Sequence, residues 1–174
     1  MKYLAKMMGY ISPILVQSMY IFKNQRIGGE VGPHTDNTYI RTTPLSCAGI
    51  WVAFDDATKE NGCMWGVPGS HKSPTDYFLK LGKDEKGEEK TFYEPNQTPH
   101  YDTKDAVPLE VEKGSVILLH GDFVHLSHPN TSPYQRHAYT LHLVESRSHM
   151  WDKDNWLQRK EIPFNFLNDN SVKL

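Results

Sequence analysis

Apolar positions along this chain cluster in short runs that turn residues interrupt. Residues 14 to 22 (ILVQSMYIF), 47 to 54 (CAGIWVAF), 107 to 111 (VPLEV), 115 to 120 (SVILLH) and 137 to 144 (HAYTLHLV) predict strands, being rich in β-branched and aromatic side chains. Gly28-Gly29, Asn61-Gly62, Pro68-Gly69, Lys113-Gly114 and Pro129-Asn130 supply turns between them. Residues 2 to 10 (KYLAKMMGY) have the character of the last turns of a helix, with Gly9 near its end. Many short strands with frequent turns predict a mainly β barrel or sandwich, a jelly roll, with minor helical segments.

Residues 72 to 105 depart from this pattern. The stretch contains KLGKDEKGEEK, is polar and charged, and predicts a long surface insertion. Loops of that length often serve as lids over a site. No internal repeat is present, and a length of 174 residues suits one domain with a real core.

Composition narrows the picture further. Hydrophobic residues at 38% and charged residues at 23% describe a soluble globular chain. A net charge of −2 gives no electrostatic case for nucleic acid or anionic lipid as partner, and no apolar run approaches membrane-spanning length. Cys47 and Cys63 have no metal-finger spacing, and no secretory apolar segment precedes them, so free thiols in a reducing cytoplasmic setting are expected. The ending Val172-Lys173-Leu174 is a weak echo of the Ser-Lys-Leu peroxisomal address, with valine where a small residue is required. Oligomeric state is not legible.

Nine histidines direct attention to metal chemistry, since imidazole is the commonest metal ligand. In VGPHTDNTY (31 to 39), His34 and Asp36 lie two apart after a Gly-Pro turn. In extended backbone such residues share a face, so both can reach one ion while Thr35 faces away. His-x-Asp alone is a chance-level motif, equally at home in an Asx turn. HGDFVHLSHPN (120 to 130) offers a third ligand: His120 as ligand or hydrogen-bonded core residue, His125 at the start of a further strand, and His128 as a turn residue. Two histidines and one carboxylate form the facial arrangement that suits non-haem Fe(II), with open positions for a bidentate 2-oxo acid and dioxygen. The distal carboxylate of 2-oxoglutarate then needs a cation, and arginine's fork fits it. Arg136 lies eleven residues after His125 and just before a strand, and a hairpin there would return it alongside His125 and Ser127.

These stretches also carry a family resemblance. VQSMYIFK (16 to 23), GGEVGPHTD (28 to 36), GIWVAFDDATKENGCMWGVPGSH (49 to 71), LLHGDFVHLSHPN (118 to 130), QRHAYTLHLVE (135 to 145) and DNWLQ (154 to 158) resemble the phytanoyl-CoA dioxygenase family of Fe(II)/2-oxoglutarate oxygenases. The resemblance implies a double-stranded β-helix, the cupin-like jelly roll, with metal at its open end. It implies His34, Asp36 and His125 as iron ligands, selecting His125 over His120. It implies Ser127 and Arg136 as contacts of 2-oxoglutarate, with Trp51 and Met19 lining that pocket, where packing alone would make them core residues. His71, ending VPGSH, also matches and is expected at the rim of the site or just behind its ligands. The implied reaction converts 2-oxoglutarate and O2 to succinate and CO2 and hydroxylates a small-molecule substrate, with Fe(II) as cofactor and ascorbate as an accessory reductant. The family's name suggests lipid-like or acyl-CoA substrates, but nothing here specifies a CoA site. Relatives are longer at the N-terminus, with helices, early strands and a lysine that assists 2-oxoglutarate, and the chain is expected to lack that part. A catalytically silent binding module and a cupin-like metalloenzyme without a 2-oxo acid are the rival expectations.

Overall fold

The computed structural model describes residues 2–159, 161 and 163–167, so the Val172-Lys173-Leu174 ending lies outside the described residues. The one α-helix among the described residues, α1 (Lys2–Met7), stops where Gly9 takes φ +87°, a left-handed conformation that glycine adopts without Cβ strain. The Gly9 and Tyr10 amides then close the end on the Lys6 and Ala5 carbonyls. No described helix is long and apolar enough to cross a membrane.

Strands follow in the order β1 (Pro13–Ile21), β2 (Val31–His34), β3 (Thr42–Thr43), β4 (Ala48–Ala53), β5 (Met64–Gly66), β6 (Phe78–Lys83) and β7 (Glu89–Glu94). Then come β8 (Val107–Leu109), β9 (Val116–His120), β10 (His125–Ser127), β11 (Ala138–Glu145), β12 (Met150–Trp151) and β13 (Asn165–Phe166). The five expected strands and the helix are present, with ends that coincide or differ by up to three residues. A five-stranded antiparallel sheet runs β13-β1-β11-β4-β9, and a four-stranded one runs β2-β10-β5-β8. The two form the jelly roll, or double-stranded β-helix.

Alternation along β4 and β11 explains the layering. Trp51, Ala53 and Ala138 join Met64 and Leu119 in the core between the sheets. The alternate residues Ile50, Leu141 and Leu143 pack outward against Ala5 of α1. On the inner face, β-pairing sets Met19, Thr140 and Trp51 in one row, and Gln17, His142 and Gly49 in the next.

Residues 72 to 105 are not without structure of their own: β6 and β7 form a hairpin, Phe78 pairing with Glu94 through to Lys83 with Glu89. Charge along both strands hides them in the sequence. Lys80 and Glu94 pair across the hairpin at 2.6 Å, and the Asp84 carboxylate accepts the Lys86 and Glu88 amides at the turn. The segment packs against the loop after β2. Arg41 lies 3.6 Å over the Phe78 ring, and Tyr101 shares hydroxyl hydrogen bonds with Thr38 (2.9 Å) and Thr35 (3.4 Å).

Candidate metal centre

His34 ends β2 and is directly opposite His125 at the start of β10, which sets their ring centroids 4.2 Å apart. Each Nδ1 donates to a carbonyl two residues earlier, His34 to Gly32 and His125 to Phe123, both at 2.9 Å. A carbonyl only accepts, so Nδ1 carries the proton and Nε2 keeps its lone pair for a metal. Both Nε2 atoms face Asp36 Oδ1, at 4.0 Å from His34 and 3.8 Å from His125.

Asp36 reaches this point because extended backbone persists only through Thr35, at φ −119° and ψ 145°, before a 3-10 turn over Asp36–Thr38. The Tyr39 and Ile40 amides close that turn on the Asp36 carbonyl, and Asn37 N–H bonds the Gly121 carbonyl. A Cβ at Gly49 would stand 3.0 Å from Asp36 Oδ2, so glycine leaves room there for the carboxylate. That Oδ2 is buried with no hydrogen-bond partner. A buried carboxylate oxygen without a partner is costly, and a cation satisfies it.

Burial alone would raise the Asp36 pKa, but the His142 hydrogen bond and the surrounding imidazoles outweigh it and hold the carboxyl at about 2. Burial, and then the neighbouring His125, pull His34 down to about 4. Both groups therefore stand at neutral pH in the forms that bind metal. One ligand atom from each of His34, Asp36 and His125 lies within 4.8 Å of the others, so the donor set fits a divalent metal of the first transition row.

These three line a cavity of about 270 Å³ together with Met19, Trp51, Ser127 and Arg136. The seven residues that the family resemblance assigns to metal and co-substrate thus border one space, whereas His71 and His120 do not. Met19 is 41% exposed and sits toward the opening, whereas Trp51 is buried. Arg136 is 1% exposed, and its Nε and Nη2 both donate to the Gly62 carbonyl, at 3.1 and 2.8 Å. Nη1 is buried without a partner, and the guanidinium carbon lies 5.5 Å from the Trp51 ring centre. Burial lowers the Arg136 pKa to about 10, which leaves it charged at neutral pH.

One expectation is corrected. No hairpin joins His125 to Arg136: β10 pairs with β2 and β5, and β11 pairs with β1 and β4. Residues between them cross from one sheet to the other around Asn130. Its Oδ1 accepts from Ser132, and its Nδ2 donates to the Lys23 and Tyr134 carbonyls. Arg136 arrives at the cavity across the sandwich instead of along a ladder. His120 is exposed, lies outside the cavity, and sets its ring 5.5 Å from that of His71. Both cysteines are free and buried.

Sequence reasoning passes over His142 and Lys23. His142 lines the cavity, with Nε2 3.4 Å from Asp36 Oδ1 and Nδ1 buried without a partner. A signal for it exists in strand parity, since residues 138, 140 and 142 share the inner face of β11. Lys23 is 2% exposed and donates to Ser127 Oγ. Nothing in an amphipathic pattern marks a lysine that is buried whole.

Residues 2–138 match the family described as "Phytanoyl-CoA dioxygenase (PhyH)". A protein of Arabidopsis thaliana named phytanoyl-CoA dioxygenase is 48% identical over 160 residues, covering 92% of this chain and 54% of that protein. Phytanoyl-CoA dioxygenase domain-containing protein 1 of Danio rerio is 44% identical over 163 residues, covering 92% and 55%. The chain therefore spans about half the length of the curated relatives it matches. Among solved structures, the non-heme alpha ketoglutarate dependent carbocyclase SnoK from nogalamycin biosynthesis shares the fold with a TM-score of 0.65 at 20% identity, over 93% of this chain and 65% of that one.

Proposed function

The chain belongs to the phytanoyl-CoA dioxygenase family, and we propose that it is an Fe(II)- and 2-oxoglutarate-dependent dioxygenase acting on a small-molecule substrate. The observation that carries this reading is the joint placement of the His34, Asp36 and His125 cluster and the buried Arg136 on one cavity wall. A metal site alone fits many cupins. A buried guanidinium with an unpaired N–H beside it calls for an anion, and a 2-oxo acid with a distal carboxylate serves both ends.

Bound iron with 2-oxoglutarate and O2 supplies the oxidative decarboxylation to succinate and CO2 that drives hydroxylation of a substrate C–H bond. The chain's own part is positional. Gly32 and Phe123 carbonyls fix the tautomer and tilt of His34 and His125. Gly49 and His142 fix the place of the Asp36 carboxylate. Arg136, held on the Gly62 carbonyl, and Ser127 receive the distal carboxylate. Trp51, Met64 and Leu119 supply apolar wall that keeps water from the reacting groups. Ascorbate belongs to this reading as an accessory reductant that preserves Fe(II).

The substrate class stays at small molecule. The relatives' names speak of phytanoyl-CoA and the fold neighbour's of a carbocyclase, and fold does not fix substrate. The test is Fe(II)-dependent formation of succinate under air, with a screen for small molecules that stimulate it. Arg136→Ala is expected to raise the 2-oxoglutarate requirement, as the loss of an ion pair of about 2–3 kcal/mol. Metal and 2-oxoglutarate binding without any succinate would favour the silent binding module, and an unchanged requirement in the Arg136 variant would remove the co-substrate assignment.

A further inference from the structure

Lys23 lies two residues beyond β1, and its side chain runs behind the cavity rather than along its wall. Two glycines make its channel. A Cβ at Gly28 would come 2.5 Å from Lys23 Cγ, and one at Gly62 would come 2.8 Å from Cδ and 3.1 Å from Nζ. The ammonium donates to Ser127 Oγ at 2.7 Å and to the His128 carbonyl. Its backbone carbonyl accepts the Arg136 amide at 2.9 Å, which ties the two cationic residues together.

Both are almost fully buried, and neither forms a salt bridge with a carboxylate among the described residues. Two buried positive charges with neutral partners only are costly, and an anion brought into the cavity relieves that cost. Burial, and then the charge of Arg136, lower the Lys23 pKa to about 8, so the ammonium form still predominates at neutral pH.

Hydrogen-bond direction adds the decisive detail. An ammonium has protons and no acceptor, so Ser127 Oγ must be the acceptor in its bond with Lys23. The serine hydroxyl's own hydrogen is thereby left over, with no acceptor among the described residues. Ser127 borders the cavity, and so does Arg136 with its unpaired Nη1. Two donors without acceptors thus stand in front of two cations without an anion.

We propose that Lys23 is a positioning residue for the distal carboxylate of the 2-oxo acid, turning the Ser127 hydroxyl into the cavity and adding a second positive charge behind Arg136. The inference rests on the reading of this cavity as a 2-oxoglutarate site. It makes the Lys23–Ser127 pair a determinant of which 2-oxo acid is taken: one with a second carboxylate over an equally long one without it.

The experiment titrates 2-oxoglutarate and 2-oxopentanoate into the anaerobic Fe(II) protein and follows the visible charge-transfer band. Wild type, Lys23→Met, Ser127→Ala and the double variant are compared. Lys23→Met is expected to weaken 2-oxoglutarate about ten- to a hundredfold while leaving 2-oxopentanoate unchanged, and the double variant to be no weaker than the worse single one. Equal losses for both acids would assign Lys23 to packing. Unchanged 2-oxoglutarate affinity, or losses that simply add, would equally overturn the proposal. A wild type that binds neither acid would instead overturn the reading of the site, and the inference with it. Should Lys23→Met fail to fold, selectively labelled lysine in the wild-type Zn(II) protein decides the same question by NMR. The Lys23 side-chain resonance is expected to shift with 2-oxoglutarate and not with 2-oxopentanoate, and equal responses would contradict the proposal.

Discussion

His142 Nε2 stands 3.4 Å from Asp36 Oδ1, nearer to that oxygen than His34 at 4.0 Å or His125 at 3.8 Å. His142 faces inward on β11 directly opposite Gly49, whose missing side chain makes the space that Asp36 fills. The carboxylate is thus held by a loop on one side and by an imidazole on the other. Such supporting contacts typically govern metal affinity by ten- to a hundredfold. His142→Ala is expected to weaken Fe(II) or Co(II) binding by about tenfold or more, measured by competition against a metal-binding dye. Unchanged affinity would mean that the loop alone fixes Asp36.

The neighbouring histidines separate cleanly. His125 is buried beside His34, whereas His120 is exposed at the end of β9. His125→Ala is expected to abolish metal-dependent 2-oxoglutarate turnover, and His120→Ala to retain most of it. The opposite pattern in a succinate assay would move the third ligand to His120.

Gly62 serves both Arg136 and the channel of Lys23. Its carbonyl holds Arg136, and a Cβ there would stand 2.6 Å from the His128 carbonyl oxygen. Its φ of +80° also disfavours any L side chain. Gly62→Ala is expected to cost about 1–3 kcal/mol in urea unfolding, because a backbone atom cannot step aside. A change within about 0.5 kcal/mol would show that the turn relaxes freely.

Lys23 gives a pH signature. Its folded pKa of about 8 lies below the ordinary 10.5, so between those values the unfolded chain binds more protons. Stability attributable to this group is therefore lowest below pH 8 and rises as pH climbs toward 10.5. The stability of wild type relative to Lys23→Met, measured by urea unfolding without ligand, should increase across that window. A flat difference would place the ammonium in better-solvated surroundings.

Much of this architecture is legible in the residues. The strands β1, β4, β9 and β11 announce themselves because β-branched, aromatic and other apolar residues predominate along them, and VQSMYIF and HAYTLHLV read as strands wherever they stand. β5 and β10 have three residues each, too few for any period to show. β6 and β7 hide behind Lys80, Glu89, Lys90 and Glu94, whose charges suit a hairpin with a solvated face as well as a loop. At the site, spacing brings His34, Asp36 and Arg136 to attention with His120 or His125 as third ligand, the family resemblance selects His125 and adds Ser127, and these five border one cavity. The path of Arg136 escapes spacing because the Asn130 turn, with its side chain bonded to Lys23 and Tyr134 carbonyls, sends the chain across the sandwich. Lys23 and His142 act through other residues: strand parity puts His142 on the inner face of β11 without showing what it does there, and no period marks the buried Lys23.

On our proposal, one cavity holds a metal on His34, Asp36 and His125 and a 2-oxo acid against Arg136. Anaerobic addition of Fe(II) and then 2-oxoglutarate, followed by visible absorption, tests it most directly. The expected result is a charge-transfer band that needs both additions, saturates at one equivalent, and disappears in His125→Ala. Folded wild-type protein that binds Fe(II) yet develops no band at saturating 2-oxoglutarate would contradict it.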